Sequence, residues 1–294
     1  MNLTVRVGSL TLPNPVTVAS GTFGYGAEYA RLIDLNQLGA VVVKGIRLEP
    51  VKGNPTPRTV EVSSGLINAI GLQGPGVDGF IEKYWPFLKG LQVPTIINIW
   101  GKTVEEYAEV ARRFDALGGV GALELNVSCP NIKEGGAQFG TDVRLLSQVV
   151  AACRAVTRLP LITKMSPNVV SIAPYAQAAE AAGSDALSIM NSFPAMAIDI
   201  KTRRPKLANV TGGLTGPCIK PIALKLVWEA VLRPQVIWPM LTAFLPKTVP
   251  TAPMMPGTSS FSMMMRLPSG TALKCLSFRI TMRGILRVSS DPAT

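Results

Sequence analysis

Up to about residue 230 the chain alternates short, continuously apolar runs with stretches whose apolar positions recur at helical spacing. The runs are Pro15 to Ala19, Ala40 to Lys44, Thr95 to Ile99, Ala122 to Val127, Leu161 to Met165 and Ala186 to Met190. Apolarity that is continuous rather than alternating predicts strands buried on both faces, as in a parallel sheet covered by helices. Between them, Thr103 to Leu117 places Val104, Tyr107, Ala108, Ala111, Phe114 and Leu117 on one helical face, with Thr103 and Glu106 at the spacing of a capping box. Asp142 to Val156 repeats the pattern through Val143, Leu146, Val149, Val150 and Cys153, and Ile172 to Ala182 is an Ala-rich helix ending at Gly183. Six βα-like units, with polar and glycine-rich residues gathered just after the strands, predict an α/β fold. A TIM (β/α)8 barrel with its chemistry at the strand C-termini fits best, and an open doubly wound sheet is the alternative.

From about Leu232 the pattern collapses. Pro234, Pro239, Pro246, Pro250, Pro253, Pro256 and Pro268 interrupt every candidate element, and seven of the 11 methionines fall here. Stretches such as Pro253 to Gly257 and Ser262 to Arg266 show neither period 2 nor period 3.6. No second domain is expected in this segment.

Composition narrows the chemistry. The 294 residues include no histidine, so histidine triads, HExxH metal sites and imidazole switches are excluded. Acid/base work falls to Cys, Lys, Tyr or carboxylates. A 47% hydrophobic content and a mean hydropathy of +0.30 predict a buried globular core. No apolar run reaches the ~18 residues of a membrane span, and the N-terminus lacks the layout of a signal peptide, so a cytoplasmic location is expected. Cysteines 129, 153, 218 and 275 have neither CxxC spacing nor the density of a disulfide scaffold and read as reduced thiols, one of which could be reactive. The net charge of +11 is uneven, because residues 231 to 294 carry seven basic residues and one acidic one. Those basic residues are spread out and Phe261 and Phe278 are isolated, which argues against a nucleic-acid surface.

The sharpest local feature is Asn126-Val127-Ser128-Cys129-Pro130-Asn131 at the end of a buried strand. A carboxamide both donates and accepts, so Asn126 and Asn131 could read a planar amide-bearing ligand by its edge. The plainer alternative is a Pro-Asn turn beside an inert Cys. Lys44 follows Val41-Val42-Val43, which would aim it at a barrel mouth, although a snorkelling surface lysine would look the same. Lys164 could likewise be a solvated strand-end lysine, and Asn98 a turn former ending its strand.

Taken together these residues resemble the class 1 dihydroorotate dehydrogenases, in particular the FMN-containing catalytic subunit of the NAD-linked two-subunit (1B) type. The blocks that carry the resemblance are PVTVASGTFGYG from Pro15, VKGI from Val43, NAIGLQGPG from Asn68, NVSCPNIKEGG from Asn126, KMSPNV from Lys164, NSFPAMAIDI from Asn191 and GGLTGPCIKPIA from Gly212. It runs from residue 1 to about 230, and seven ordered blocks are far more specific than any one glycine-rich segment. Ile132 to Gly136 looks like the NAD-linked type. A base Cys in place of Ser argues against the membrane-associated quinone-using class, and dihydropyrimidine dehydrogenases usually have His where Asn131 stands.

The resemblance implies a TIM barrel over residues 1–230 that binds FMN above the strand ends and oxidises dihydroorotate to orotate in pyrimidine biosynthesis. Cys129 would remove the C5 proton while hydride leaves C6 for the flavin, and Lys44 would touch both flavin and substrate. Asn68, Ile70, Gly71, Leu72, Asn126, Asn131, Asn191 and Ser192 would hold the substrate. Ala19, Ser20, Gly21, Lys44, Gly45, Asn98, Asn126, Lys164 and Gly216 would contact the flavin, with the Lys164 cation favouring the anionic reduced ring. No metal site is implied. The chain has neither a nicotinamide fingerprint nor clustered cysteines, so electrons would leave through a partner subunit carrying FAD and an iron–sulfur centre, in a heterotetramer.

One position and one segment depart from the family. Position 74 is Gly where Asn is usual. Residues 231–294 lack the Gly-x-Gly-Gly-Ile and Val-Gly-Thr motifs that bind the FMN phosphate, and their Pro-, Met- and Arg-rich composition looks like translation in another reading frame. The last two βα units are therefore expected to be absent or disrupted, which would leave two open sheet edges. The alternative function is an inactive, truncated barrel remnant without stable FMN binding.

Overall fold

The computed structural model describes residues 2–127, 139–231 and 263–266. In chain order the strands are β1 (Val5–Val7), β2 (Leu10–Leu12), β3 (Val41–Val42), β4 (Thr59–Val62), β5 (Gly65–Asn68), β6 (Thr95–Ile99), β7 (Ala122–Asn126), β8 (Leu161–Lys164), β9 (Ala186–Ile189), β10 (Phe193–Ala195), β11 (Ile198–Asp199), β12 (Arg204–Pro205), β13 (Gly212–Thr215) and β14 (Met263–Arg266). The helices are α1 (Gly76–Lys83), α2 (Trp85–Lys89), α3 (Val104–Leu117), α4 (Val143–Val156), α5 (Ala173–Ala181) and α6 (Lys220–Val231).

The central sheet has the order β14-β9-β8-β7-β6-β3, and its five strands from β3 to β9 run parallel. Every residue of β6, β7, β8 and β9 is buried, which accounts for their continuous apolarity in the sequence. The crossovers α3, α4 and α5 pack side by side outside this sheet, followed by α6. Helix α3 buries Tyr107, Val110, Ala111 and Phe114, and Thr103 caps it by accepting from the Glu106 amide. The reciprocal half of the expected capping box is displaced by one residue: Glu106 Oε2 accepts from Lys102 N at 2.7 Å. Asp142 caps α4 by accepting from Arg144 N and Leu145 N at 2.8 and 3.2 Å.

Two additions flank the half-barrel. The β1–β2 hairpin lies beneath the strand N-termini, close to Gly121 before β7 and Asp185 before β9. At the opposite end, β10-β13-β5-β4 form an antiparallel sheet over the strand C-termini with its own small core of Ile67, Ala69 and Leu207.

The structure corrects the sequence reading in two places. Pro15 to Ala19 is not a strand but a single parallel bridge, Thr17 to Ala40, so the first barrel strand is reduced to one contact. Met263–Arg266, read as aperiodic, forms β14 and pairs antiparallel with β9, Met263 opposite Ile189 and Arg266 opposite Ala186. One of the two edges expected to stay open is thus covered, in an orientation opposite to that of a barrel strand. The rest of residues 232–294 lies outside the described residues. No helix among the described residues is long and apolar enough to cross a membrane.

Candidate active site

Register and alternation decide which side chains share the inner face of the sheet. Asn98 on β6 is paired with Glu124 on β7, Asn126 lies two residues beyond Glu124, and Asn126 is in turn paired with Lys164 on β8. Side chains repeat every second residue along a strand, so Asn98, Glu124, Asn126 and Lys164 all project to one face at its C-terminal end. Lys44 stands two residues beyond Val42, whose partner Ile96 is two before Asn98, and so continues the same row.

These groups are bonded to one another. Asn98 Nδ2 donates to Glu124 Oε1 at 2.5 Å, and Lys164 Nζ lies 3.7 Å from the same oxygen and donates to Ser20 Oγ at 2.9 Å. Asn98, Glu124, Asn126 and Lys164 are all buried. Lys44 is half-buried; desolvation, with Arg58 adding repulsion and Glu28 opposing it, holds its ammonium below the usual lysine range. A partly dehydrated cation at a strand end is poised to meet an anionic ligand.

A second, continuous patch joins the covering sheet to the strand ends. Asn191 Nδ2 donates to Asn126 Oδ1 at 3.1 Å, and Asn191 Oδ1 accepts from Ser192 N at 2.8 Å. Ser192 lies against Gly213, where a Cβ would come within 2.1 Å of its Oγ, and Asn68 Nδ2 donates to Gly213 O at 3.2 Å. Asn68, Asn126, Asn191 and Ser192 therefore form one row of amide and hydroxyl groups. Tyr107 OH donates to Asn126 O at 2.7 Å and fixes the end of β7 where the chain turns out of the sheet.

The remaining expected residues divide. Ala19, Ser20 and Gly21 form the turn after Val18, closed by Thr22 Oγ1 donating to Ala19 O at 2.8 Å, and Ser20 joins the row through Lys164. Ile70, Gly71 and Leu72 follow Asn68 and pack on the Gly53–Asn54 loop, with Asn54 N donating to Ile70 O at 3.0 Å. Gly216, at φ +119°, abuts Ser64 and Gly65 at the other end of β13; a Cβ there would lie 2.7 Å from Gly65 Cα, so only glycine fits. Cys129 and Asn131 lie outside the described residues. Of the other cysteines, Cys153 is fully buried in α4 and its thiol is pushed up to about 12 by desolvation, so it is inert.

Glu124 did not emerge from the sequence as a site residue. Its signal was there, a lone carboxylate between Leu123 and Leu125 in an otherwise apolar strand, where an unpaired charge is costly.

The inner row fits a planar heteroaromatic cofactor. Asn98 Oδ1 and Trp100 Nε1 are buried and have no hydrogen-bond partner among the described residues. Both line Gly45, where a Cβ would lie 2.7 Å from Asn98 Oδ1 and 3.8 Å from Trp100 Nε1. Among the described residues nothing lies within 4 Å of a Cβ built on Gly21. A buried acceptor and a buried donor with unmet hydrogen-bonding capacity, beside a glycine and a buried lysine, suit a ring edged with N–H and C=O groups.

Comparison with known proteins gives the chain's family. The family profile described as dihydroorotate dehydrogenase matches residues 2–237. The chain is 57% identical over 227 residues to the dihydroorotate dehydrogenase B (NAD(+)) catalytic subunit of Trichlorobacter lovleyi, covering 77% of this chain and 75% of that protein. It is 55% identical over 229 residues to the subunit of the same name from Desulforamulus reducens, covering 78% and 75%. In fold it is similar to the DHODH of Eimeria tenella solved in complex with ferulenol, with a TM-score of 0.63 at 20% identity over 78% of this chain and 69% of that one. A profile match over most of the chain and identities above half place the protein firmly: it belongs to the dihydroorotate dehydrogenase family.

Proposed function

We propose that the chain is the catalytic subunit of a dihydroorotate dehydrogenase that oxidises dihydroorotate to orotate in pyrimidine biosynthesis and passes the electrons to NAD through a separate electron-transfer subunit. The observation that carries this reading is the convergence of Lys44, Asn98, Asn126 and Lys164 on one end of the parallel sheet, directly beneath the Asn68–Ser192–Asn191 row. Residues 1–230 act as the flavin-binding α/β unit. The cofactor is FMN, the partner carries FAD and an iron–sulfur centre, and the assembly works in the cytoplasm.

FMN, when bound, supplies the two-electron acceptor for the hydride leaving C6. The chain's own residues do the rest. Gly45, Asn98 and Lys164, together with Ala19, Ser20, Gly21 and Gly216, would hold the FMN. Lys44 pairs with the substrate carboxylate, an attraction strengthened by its partial burial. Asn68, Asn126, Asn131 and Asn191 present donors and acceptors to the two amide edges of the dihydropyrimidine ring, and Ser192 with the Ile70–Leu72 segment closes over it. Orienting the ring in this way brings the C5 proton to Cys129, which follows Asn126 by three residues and takes that proton as thiolate. No imidazole is needed, because the Cys thiolate and a lysine supply the acid/base and charge functions.

The test is to load the purified full chain with FMN, add dihydroorotate without oxygen and follow the flavin absorbance. Bleaching on substrate addition is expected; a loaded protein whose spectrum does not change overturns the proposal.

A further inference from the structure

Glu124 is a carboxylate at 1% exposure on the inner face of a strand whose neighbours Leu123 and Leu125 are fully buried. Burying a charge there costs several kcal/mol unless it is paired and hydrogen-bonded. Its partners are Asn98 Nδ2 at 2.5 Å and Lys164 Nζ at 3.7 Å, two residues assigned above to the flavin.

Each contact has a consequence at the cleft. A carboxylate only accepts, so it holds the Asn98 amide with Nδ2 toward itself and Oδ1 on the opposite side. Oδ1 is buried, unpartnered among the described residues and faces the Cβ-less wall of Gly45. Glu124 thereby fixes Asn98 with its acceptor turned to the Gly45 backbone, a segment assigned above to the flavin. The same oxygen is a counter-charge for Lys164, whose other described contact is the neutral Ser20 hydroxyl. An ammonium beside a flavin stabilises the reduced, anionic ring, and a carboxylate on its far side weakens that effect.

We infer that Glu124 is a positioning residue that fixes the carboxamide polarity of Asn98 and tempers the Lys164 charge, and so sets how strongly the site favours reduced over oxidised flavin. This rests on the flavin reading above.

The experiment is an anaerobic redox titration of FMN bound to the full-length chain, with affinity for oxidised FMN measured in parallel by fluorescence quenching. Glu124→Gln removes the counter-charge at nearly constant shape. It should raise the preference for reduced over oxidised flavin about tenfold, which for a two-electron couple is ~30 mV upward. Lys164→Gln should move the potential downward. The double variant restores a neutral pair and should return to within about 10 mV of wild type. A merely structural Glu124 would change melting temperature and flavin retention without this charge-ordered pattern. A potential for Glu124→Gln that is unchanged or lowered, or a double variant that stays with one of the single variants, overturns the inference. Should Glu124→Gln fail to fold, the double variant against Lys164→Gln makes the same comparison, and equal potentials overturn it. A wild-type chain that binds no FMN overturns the flavin reading itself, and this inference with it.

Discussion

Gly45→Ala tests whether the cleft is shaped by the absence of a side chain. A Cβ at this position would sit 2.7 Å from Asn98 Oδ1 and 3.2 Å from Trp100 Cδ1, where ordinary contact begins near 3.4 Å. Asn98 is fully buried and its amide is held by Glu124 at 2.5 Å, so it cannot swing aside without stretching a charge-assisted bond. Losing such a bond costs ~1.5–3 kcal/mol, and overpacking a tight core costs ~1–3 kcal/mol. Relaxation follows the cheaper route, which puts the penalty at about 1–3 kcal/mol and the fall in melting temperature at roughly 2–12 °C for a domain of this size. Relaxation displaces Asn98, assigned above to the flavin, and at tenfold per 1.4 kcal/mol restoring its geometry in the complex should weaken FMN binding by up to about 150-fold. Thermal melts by circular dichroism and FMN titration by fluorescence quenching read both effects. Gly90→Ala is the control, since among the described residues its Cβ would meet nothing nearer than Phe87 O at 3.4 Å, and it should stay within about 0.5 kcal/mol of wild type. A Gly45→Ala protein that melts and binds FMN like wild type refutes the cleft.

Three further outcomes are expected. Cys129→Ser should retain FMN while dihydroorotate-dependent bleaching, followed by stopped flow, slows by ~10²–10⁴-fold; an unchanged rate removes Cys129 as the base. Gly74→Ser should raise the melting temperature by an amount worth about 1 kcal/mol, because its Cβ would lie 3.4 Å from the Tyr25 OH, which is buried and without a hydrogen-bond partner among the described residues, and its hydroxyl can satisfy that group; a lowered melting temperature contradicts this. Lys44→Met should stabilise the protein at pH 7 while raising KM for dihydroorotate. Burial lowers the folded-state pKa of Lys44, so the folded chain binds fewer protons than the unfolded one between that value and 10.5, and wild-type stability recovers as pH rises through this window. The melting advantage of Lys44→Met should therefore shrink toward pH 10.5, and a gap that widens instead would refute the assignment.

The sheet was legible because burial on both faces leaves a plain mark: Thr95–Ile99, Ala122–Asn126, Leu161–Lys164 and Ala186–Ile189 are wholly buried and read as continuous apolar runs. Asn126 and Lys164 close their strands and Asn98 stands one residue before the end of its own, but their assignment to a ligand came from the resemblance of the blocks that contain them. The covering sheet of β4, β5, β10 and β13 leaves no comparable mark. Its strands are three or four residues long, only partly buried and paired across long separations, as Asn68 is with Gly213. Helices α1 and α2 also escaped notice, being short and divided at Tyr84 ahead of Pro86. Glu124 is the instructive omission. Its pairing with Asn98 and Lys164 is a matter of strand register, and register is set by neighbours that no single strand sequence contains.

The most direct test of the account is the product itself. A known amount of FMN-loaded chain, given excess dihydroorotate without oxygen or an electron acceptor, should release one equivalent of orotate per bound flavin and then stop until its electrons are withdrawn. Orotate below a tenth of an equivalent from protein that demonstrably holds FMN would contradict the claim that this chain positions flavin and substrate for the oxidation.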